Sequence, residues 1–120
     1  MKKLLIVDDE AFMRLTIRNM MNHYDIEIVG EAANGVIGVE MYKEFRPDVV
    51  TMDITMPEMT GIEALKKIKA FDPQAKVIML SSLGEEGMVI EAIRSGAKTF
   101  IVKPFKEKFF NQIIYDVLGI

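Results

Sequence analysis

Three acidic residues, Asp8-Asp9-Glu10, follow the first apolar run of the chain, and a fourth, Asp53, closes the run Val49-Val50-Thr51-Met52. A later run ends in Ser81-Ser82, and the last one ends in Lys103-Pro104. Separate segments thus offer carboxylates, a hydroxyl and an ammonium. Carboxylates brought together repel one another: a pair about 4 Å apart costs about 1 kcal/mol in bulk water, and more where water is partly excluded. A hard dication relieves that repulsion, and Mg2+ prefers carboxylate and carbonyl oxygens while keeping several waters. Lys103 adds a point charge suited to a phosphate, and the Ser81 hydroxyl can donate to the same group. A metal, a counter-charge and a carboxylate nucleophile together point to phosphoryl transfer onto an aspartate, in which catalysis is mostly positioning and charge neutralisation. Each feature also has a plainer reading: solvated loop acids, a helix-capping serine, a Lys-Pro turn.

For these groups to meet, strand ends must line up. Short apolar runs at 4–7, 26–29, 49–52, 77–80 and 99–102 are rich in Val, Ile and Leu, and most lack period-two alternation. That pattern suits parallel strands covered on both faces. Between the runs the period changes to three and four. Phe12, Met13, Thr16, Ile17, Met20 and Met21 form one helical face, with Arg14, Arg18, Asn19 and Asn22 on the other. Val36, Val39, Glu40 and Tyr42-Lys43 continue a helix that Arg46-Pro47 stops; Ile62, Leu65, Ile68 and Lys69 run to a second stop at Asp72-Pro73. Residues 85–95 carry Val89, Ala92 and Ile93, with Gly96 as C-terminal cap. Residues 106–118 place Phe109, Phe110, Ile113, Ile114 and Val117 on one face. The product is a (βα)5 array, an α/β fold whose right-handed crossovers put helices on both faces of a parallel sheet. Ligands of such sheets bind beyond the C-terminal strand ends, where the acids, Ser81 and Lys103 all fall. Glu31-Ala32, leaving the second strand, looks peripheral.

Val7-Asp8-Asp9, Met52-Asp53-Ile54-Thr55-Met56-Pro57-Glu58-Met59-Thr60-Gly61, Leu80-Ser81-Ser82 and Val102-Lys103-Pro104-Phe105 resemble, in order, the motifs of the response-regulator receiver domain. Asp-Asp or Lys-Pro alone is a weak signal; all of the motifs together at strand ends are specific. The resemblance spans essentially the whole chain, residues 1–120, as one domain. It implies a flavodoxin-like five-stranded sheet of order 2-1-3-4-5. It implies Asp53 as phosphoacceptor, and Asp9, the Asp53 carboxylate and the Thr55 backbone carbonyl as ligands of Mg2+ (or Mn2+ in its place), with Asp8 acting through a water. Lys103 is then the phosphoryl contact, joined to Pro104 by a cis bond. Ser81 matches the switch hydroxyl and Phe100 the switch aromatic. Phosphorylation would draw the Ser81 hydroxyl to the phosphoryl oxygens and let Phe100 turn inward, biasing an equilibrium in the surface of helix 4, strand 5 and helix 5. An aromatic in a strand is otherwise most often core. Leu83 and Thr55 flank the site and are expected to influence water attack on the acyl phosphate.

A length of 120 residues argues for one domain with one core, and a composition 50% hydrophobic and 28% charged is that of ordinary globular proteins. A net charge of −3 argues against a large basic surface for nucleic acid. The absence of cysteine excludes disulfides, thiolate nucleophiles and Cys-ligated metals. The first apolar run reaches the acid pair well short of the roughly 7–15 residues of a signal peptide. No run approaches the ~18 residues of a membrane span, so a soluble cytoplasmic protein is expected. No output domain follows Ile120, so action by docking to another protein is expected. Phe12-Met13-Arg14, residues 53–59 and residues 88–93 resemble stand-alone chemotaxis receivers of the CheY type. That likeness implies a histidine kinase as donor, the flagellar switch as target and a phosphatase as further partner. Glu10 after the acid pair and Ser82 in place of a small alanine keep a non-chemotaxis phosphorelay open. A haloacid-dehalogenase-type phosphatase needs a second aspartate two residues past the nucleophile, where this chain has Thr55. In a flavodoxin-like FMN binder, Asp8-Asp9-Glu10 would repel the phosphate, and the intact acid set argues against a receiver fold used only as scaffold. The ten methionines are expected as core filler, His23 as a surface or structural residue, and Phe109-Phe110 as packed rather than leaving a ring exposed.

Overall fold

Backbone pairing carries most of the apolar runs a residue or more into polar sequence. In the computed structural model, which describes residues 1–21 and 25–120, the strands are β1 (Lys2–Val7), β2 (Ile26–Ala32), β3 (Val49–Asp53), β4 (Val77–Ser81) and β5 (Thr99–Val102). Ladder hydrogen bonds are indifferent to side-chain polarity, so Asp53 and Ser81 end strands rather than follow them. The helices are α1 (Ala11–Met20), α2 (Gly35–Phe45), α3 (Gly61–Phe71), α4 (Glu86–Arg94) and α5 (Glu107–Leu118). All strand pairs are parallel, in the order β2-β1-β3-β4-β5. Asn22 and His23 lie outside the described residues.

The unbroken apolar runs serve two cores at once. Successive side chains of a strand point to opposite faces. Leu5, Val7, Val50, Met52, Val77 and Met79 accordingly pack under α2, α3 and α4 with Val39, Tyr42, Leu65, Ile68 and Ala92. Leu4, Ile6, Val49, Ile78, Leu80 and Ile101 pack under α1 and α5 with Ile17, Met21, Phe110 and Ile114. Each fully buried aliphatic side chain contributes about 1.5–3 kcal/mol. Methionine fills gaps on both sides: Met52 and Met79 in one core, Met21 in the other, with Met13 and Met20 packed against it.

The helix punctuation works as its residues dictate. Arg46 adopts φ +48 at the end of α2, immediately before Pro47. Asp72 leaves α3 in an extended conformation before Pro73, which disfavours αR in its predecessor. Thr60 and Glu63 form a reciprocal capping box at the start of α3. Gly96, at φ +107, follows α4 as expected, and Ala97 N–H closes back on the Ala92 carbonyl at 3.0 Å.

Four expectations are corrected. Phe12 does not share the buried face of α1; it is 71% exposed. It sits five residues from the buried Ile17, about 140° round the helix at 3.6 residues per turn. Phe109 is likewise 53% exposed, because Phe110, Ile114 and Leu118 form the buried stripe of α5. Finally, β5 is not covered on both faces: Ile101 is buried, while Phe100 and Val102 are exposed. As an edge strand it has one neighbour, and α4 stands apart from it. Ile93, expected on the packed face of α4, is exposed toward the same gap. Among the described residues no helix is long and apolar enough to cross a membrane.

Candidate functional site

The ends of β1, β3 and β4 converge on Lys103, which follows β5. Asp8, the first residue past β1, is fully buried and anchored through its backbone: its N–H donates to the Ala32 carbonyl at 3.0 Å, and its carbonyl accepts from Arg14 Nη1 at 2.6 Å. Its carboxylate accepts from Glu10 N–H at 2.9 Å and from Lys103 Nζ at 3.0 Å. The same ammonium stands 3.3 Å from Asp53 Oδ1 and 4.0 Å from Glu10 Oε1. Lys103 is carried there by its own N–H, which donates to the Ser81 carbonyl at 2.7 Å, and its bond to Pro104 is cis. Two acids this deeply buried persist because one cation and backbone donors satisfy them.

Negative charge is nevertheless in excess. The carboxylates of Asp8, Asp9 and Glu10 hold oxygens within 4.8 Å of one another, and Asp9 is among the groups that raise the Asp53 pKa. Asp53, only 6% exposed, is pushed up to about 7, by burial first and by the Asp8 charge second, against the pull of Lys103. For Lys103, burial is the largest influence and opposes its charge. The hydrogen bond to Asp8 and the charges of Asp53 and Asp8 outweigh it, so its pKa is raised. A cluster made entirely of hard oxygen donors, with more charge than its cation neutralises, fits a divalent ion such as Mg2+. Nucleophile, counter-charge and acid cluster can together receive and stabilise a phosphoryl group.

A glycine sets the depth of the pocket. Gly61 N–H donates to the Ile54 carbonyl at 2.6 Å, and a Cβ at Gly61 would lie 1.9 Å from the Asp53 carbonyl oxygen. Only a residue without a side chain lets α3 start this close to the strand bearing Asp53. Ser81 is buried beside this edge, and it lines, with Phe100, a cavity of about 480 Å3 between α4 and β5. Phe100 is 41% exposed, so it is neither core nor turned fully inward. The Thr55 hydroxyl does not face Asp53 but donates to Glu85 Oε2 at 2.6 Å. Glu31 pairs with Arg14 and Arg18, peripheral to the acids as expected. Glu10 joins the acid cluster although it was not among the expected ligands. Glu85 was missed altogether; its one sequence signal is the Ser82-Leu83-Gly84-Glu85 spacing of a capping box.

Residues 4–115 match the sequence model of the response regulator receiver domain. The chain is 59% identical over 117 residues to the chemotaxis protein CheY of Bacillus subtilis, covering 98% of each. It is 59% identical over 106 residues to that of Listeria monocytogenes, covering 88% of this chain and 89% of the relative. Among solved structures it superposes on a chain of the CheX-CheY-BeF3-Mg+2 complex from Borrelia burgdorferi with a TM-score of 0.91 and 41% identity, covering 97% of this chain and 88% of that one. With a match over residues 4–115 and relatives of this identity and coverage, this chain belongs to the response regulator receiver domain family.

Proposed function

We propose that the chain is a phosphorylation-activated switch of a two-component system, accepting a phosphoryl group on Asp53 from a histidine kinase and signalling by docking. The observation that carries it is the buried Asp53 carboxylate 3.3 Å from Lys103 and beside the acid cluster. An Asp53 oxygen attacks the phosphorus of phosphohistidine or a small acyl phosphate; the new P–O bond forms as the old P–N or P–O bond breaks, and imidazole or carboxylate leaves. Asp9, Asp53 and the Thr55 carbonyl, with Asp8 through a water, would hold Mg2+ or Mn2+. The ion supplies neutralisation of charge on the phosphoryl oxygens. Lys103 neutralises a further share, and the Ser81 hydroxyl donates to the product. Movement of Ser81 frees space beside Phe100, which turns into the cavity it already lines. Hydrolysis of the acyl phosphate by water resets the protein, so donor use and reset are both its own chemistry.

The relatives named chemotaxis protein CheY favour chemotaxis as the pathway; the proposed target is the flagellar switch and the proposed place of action the cytoplasm, and a non-chemotaxis phosphorelay is the second reading. The Borrelia burgdorferi CheY is solved in a complex with CheX, BeF3 and Mg2+, and a phosphatase is the further partner proposed for this chain. Acetyl phosphate with Mg2+ should add about 80 Da, and Asp53→Asn should abolish the gain. Labelling that persists in Asp53→Asn would refute the acceptor. Pull-down with the phosphorylated form should recover a flagellar-switch or phosphatase component, and recovery of DNA alone would overturn the output.

A further inference from the structure

The β3–β4 ladder comes apart at its C-terminal end. Ile54 N–H donates to the Leu80 carbonyl at 3.1 Å, and a continuing parallel ladder would have the Ile54 carbonyl accept from Ser82 N–H. Gly61 N–H takes that carbonyl instead, at 2.6 Å. Ser82 N–H, released from the sheet, donates to Glu85 Oε1 at 2.5 Å. The other oxygen of the same carboxylate accepts from the Thr55 hydroxyl at 2.6 Å. Glu85 therefore ties the loop after Asp53 to the loop after Ser81. It stands at the N-cap of α4 and accepts no bond from the N–H groups of that helix, so its two oxygens serve the two loops, the Ser82 bond being the one a capping box would also make. Gly84, at φ +92 with open space around it, forms the turn that brings Glu85 back over the strand ends.

A phosphoryl group on Asp53 would bring charge and acceptor oxygens to this edge. It would repel the Glu85 carboxylate and compete for the donors that the carboxylate holds. We propose that Glu85 is a positioning residue for the resting state: it satisfies Ser82 N–H and the Thr55 hydroxyl as an internal anion, and it must release them before the Ser81-Ser82 segment moves toward a modified Asp53. This latch rests on Asp53 being the phosphoacceptor. Removing it favours the active arrangement, so an anion at Asp53 binds more tightly.

The test uses beryllium fluoride with saturating Mg2+, followed through amide resonances by NMR. The wild type should bind, Asp53→Asn should not, and Glu85→Ala should lower the half-saturating concentration by about five-fold, the low end of measured site couplings. Glu85→Gln keeps an acceptor for Ser82 without the charge and should fall between the two. A merely structural role predicts weaker binding in both variants. Unchanged or weaker binding by Glu85→Ala and Glu85→Gln, with the wild type binding normally, overturns the latch. If Glu85→Ala does not melt cooperatively, Glu85→Gln decides alone: a lower midpoint supports the latch, and an equal or higher one overturns it. A wild type that does not bind, or binding that persists in Asp53→Asn, overturns the acceptor assignment and the latch with it.

Discussion

Asp53→Asn should make the metal-free protein more stable while abolishing phosphorylation. The native carboxyl is pushed up to about 7, whereas an aspartate in an unfolded chain titrates near 3.9. Between those values the native state binds the extra proton, so stability contributed at this group is fully present below about 3.9 and is lost as pH rises through about 7. The shift of about three units corresponds to a ceiling of about 4 kcal/mol. Water at the pocket mouth and relaxation of Asp8, Asp9 and Lys103 reduce that, and about half is a working value in a medium more polarisable than dry protein. Asparagine keeps the shape and removes the charge, and Lys103 remains paired with Asp8 at 3.0 Å. At pH 8 with a chelator present, the variant should gain about 2 kcal/mol, which for a domain of this size is roughly 6–10 °C in Tm. At pH 5 the gain should be clearly smaller, because the native wild-type carboxyl then holds a proton for much of the time. Urea unfolding at both pH values measures the difference directly. Mg2+ at about 100 times its Kd should add about 2.7 kcal/mol to the wild type and much less to the variant. A variant no more stable than wild type at pH 8, or an equal gain at both pH values, would refute the reasoning.

Lys103→Ala should fold but lose the phosphorylation-linked change at α4; an unchanged NMR response there would contradict the linkage. Gly61→Ala should cost 3 kcal/mol or more, since its Cβ would meet the Asp53 carbonyl oxygen at 1.9 Å and overpacking typically costs about 1–3 kcal/mol with rigid neighbours at the high end; chemical denaturation checks it. Phe110→Ala, emptying the centre of the α1–α5 core, should cost about 3–5 kcal/mol by the same measurement. Tyr42→Phe removes the hydroxyl that donates to Asp72 at 2.7 Å, and a loss of about 1 kcal/mol is expected in urea unfolding.

The sites legible in the sequence are those that a strand end alone determines. Once the apolar runs are parallel strands, Asp8, Asp53, Ser81 and Lys103 have nowhere to lie but one edge, and the structure brings them there. Groups whose role depends on a partner in a distant loop were hidden. Glu85 finds Thr55 30 residues away, and Gly61 matters only because α3 starts against the strand bearing Asp53. Glu10 was legible as a strand-end acid beside Asp8 and Asp9, but its approach to Lys103, at 4.0 Å, was not. Periodicity showed where the helices are but not how far each buried stripe extends, which left Phe12 and Phe109 on the wrong side. The bare face of β5 was likewise invisible, since an edge strand and a central one have the same apolar run.

The sheet is also a partition. Alternate residues of each strand feed one core under α2, α3 and α4 and another under α1 and α5, with the backbone layer between them. Substitutions on opposite sides share few neighbours, and effects at such separated positions add nearly independently. Sequence change can therefore accumulate under α2, α3 and α4 without compensating replacements beneath α1 and α5. A designer could repack either layer as though the other were fixed scaffolding, and natural drift has the same freedom.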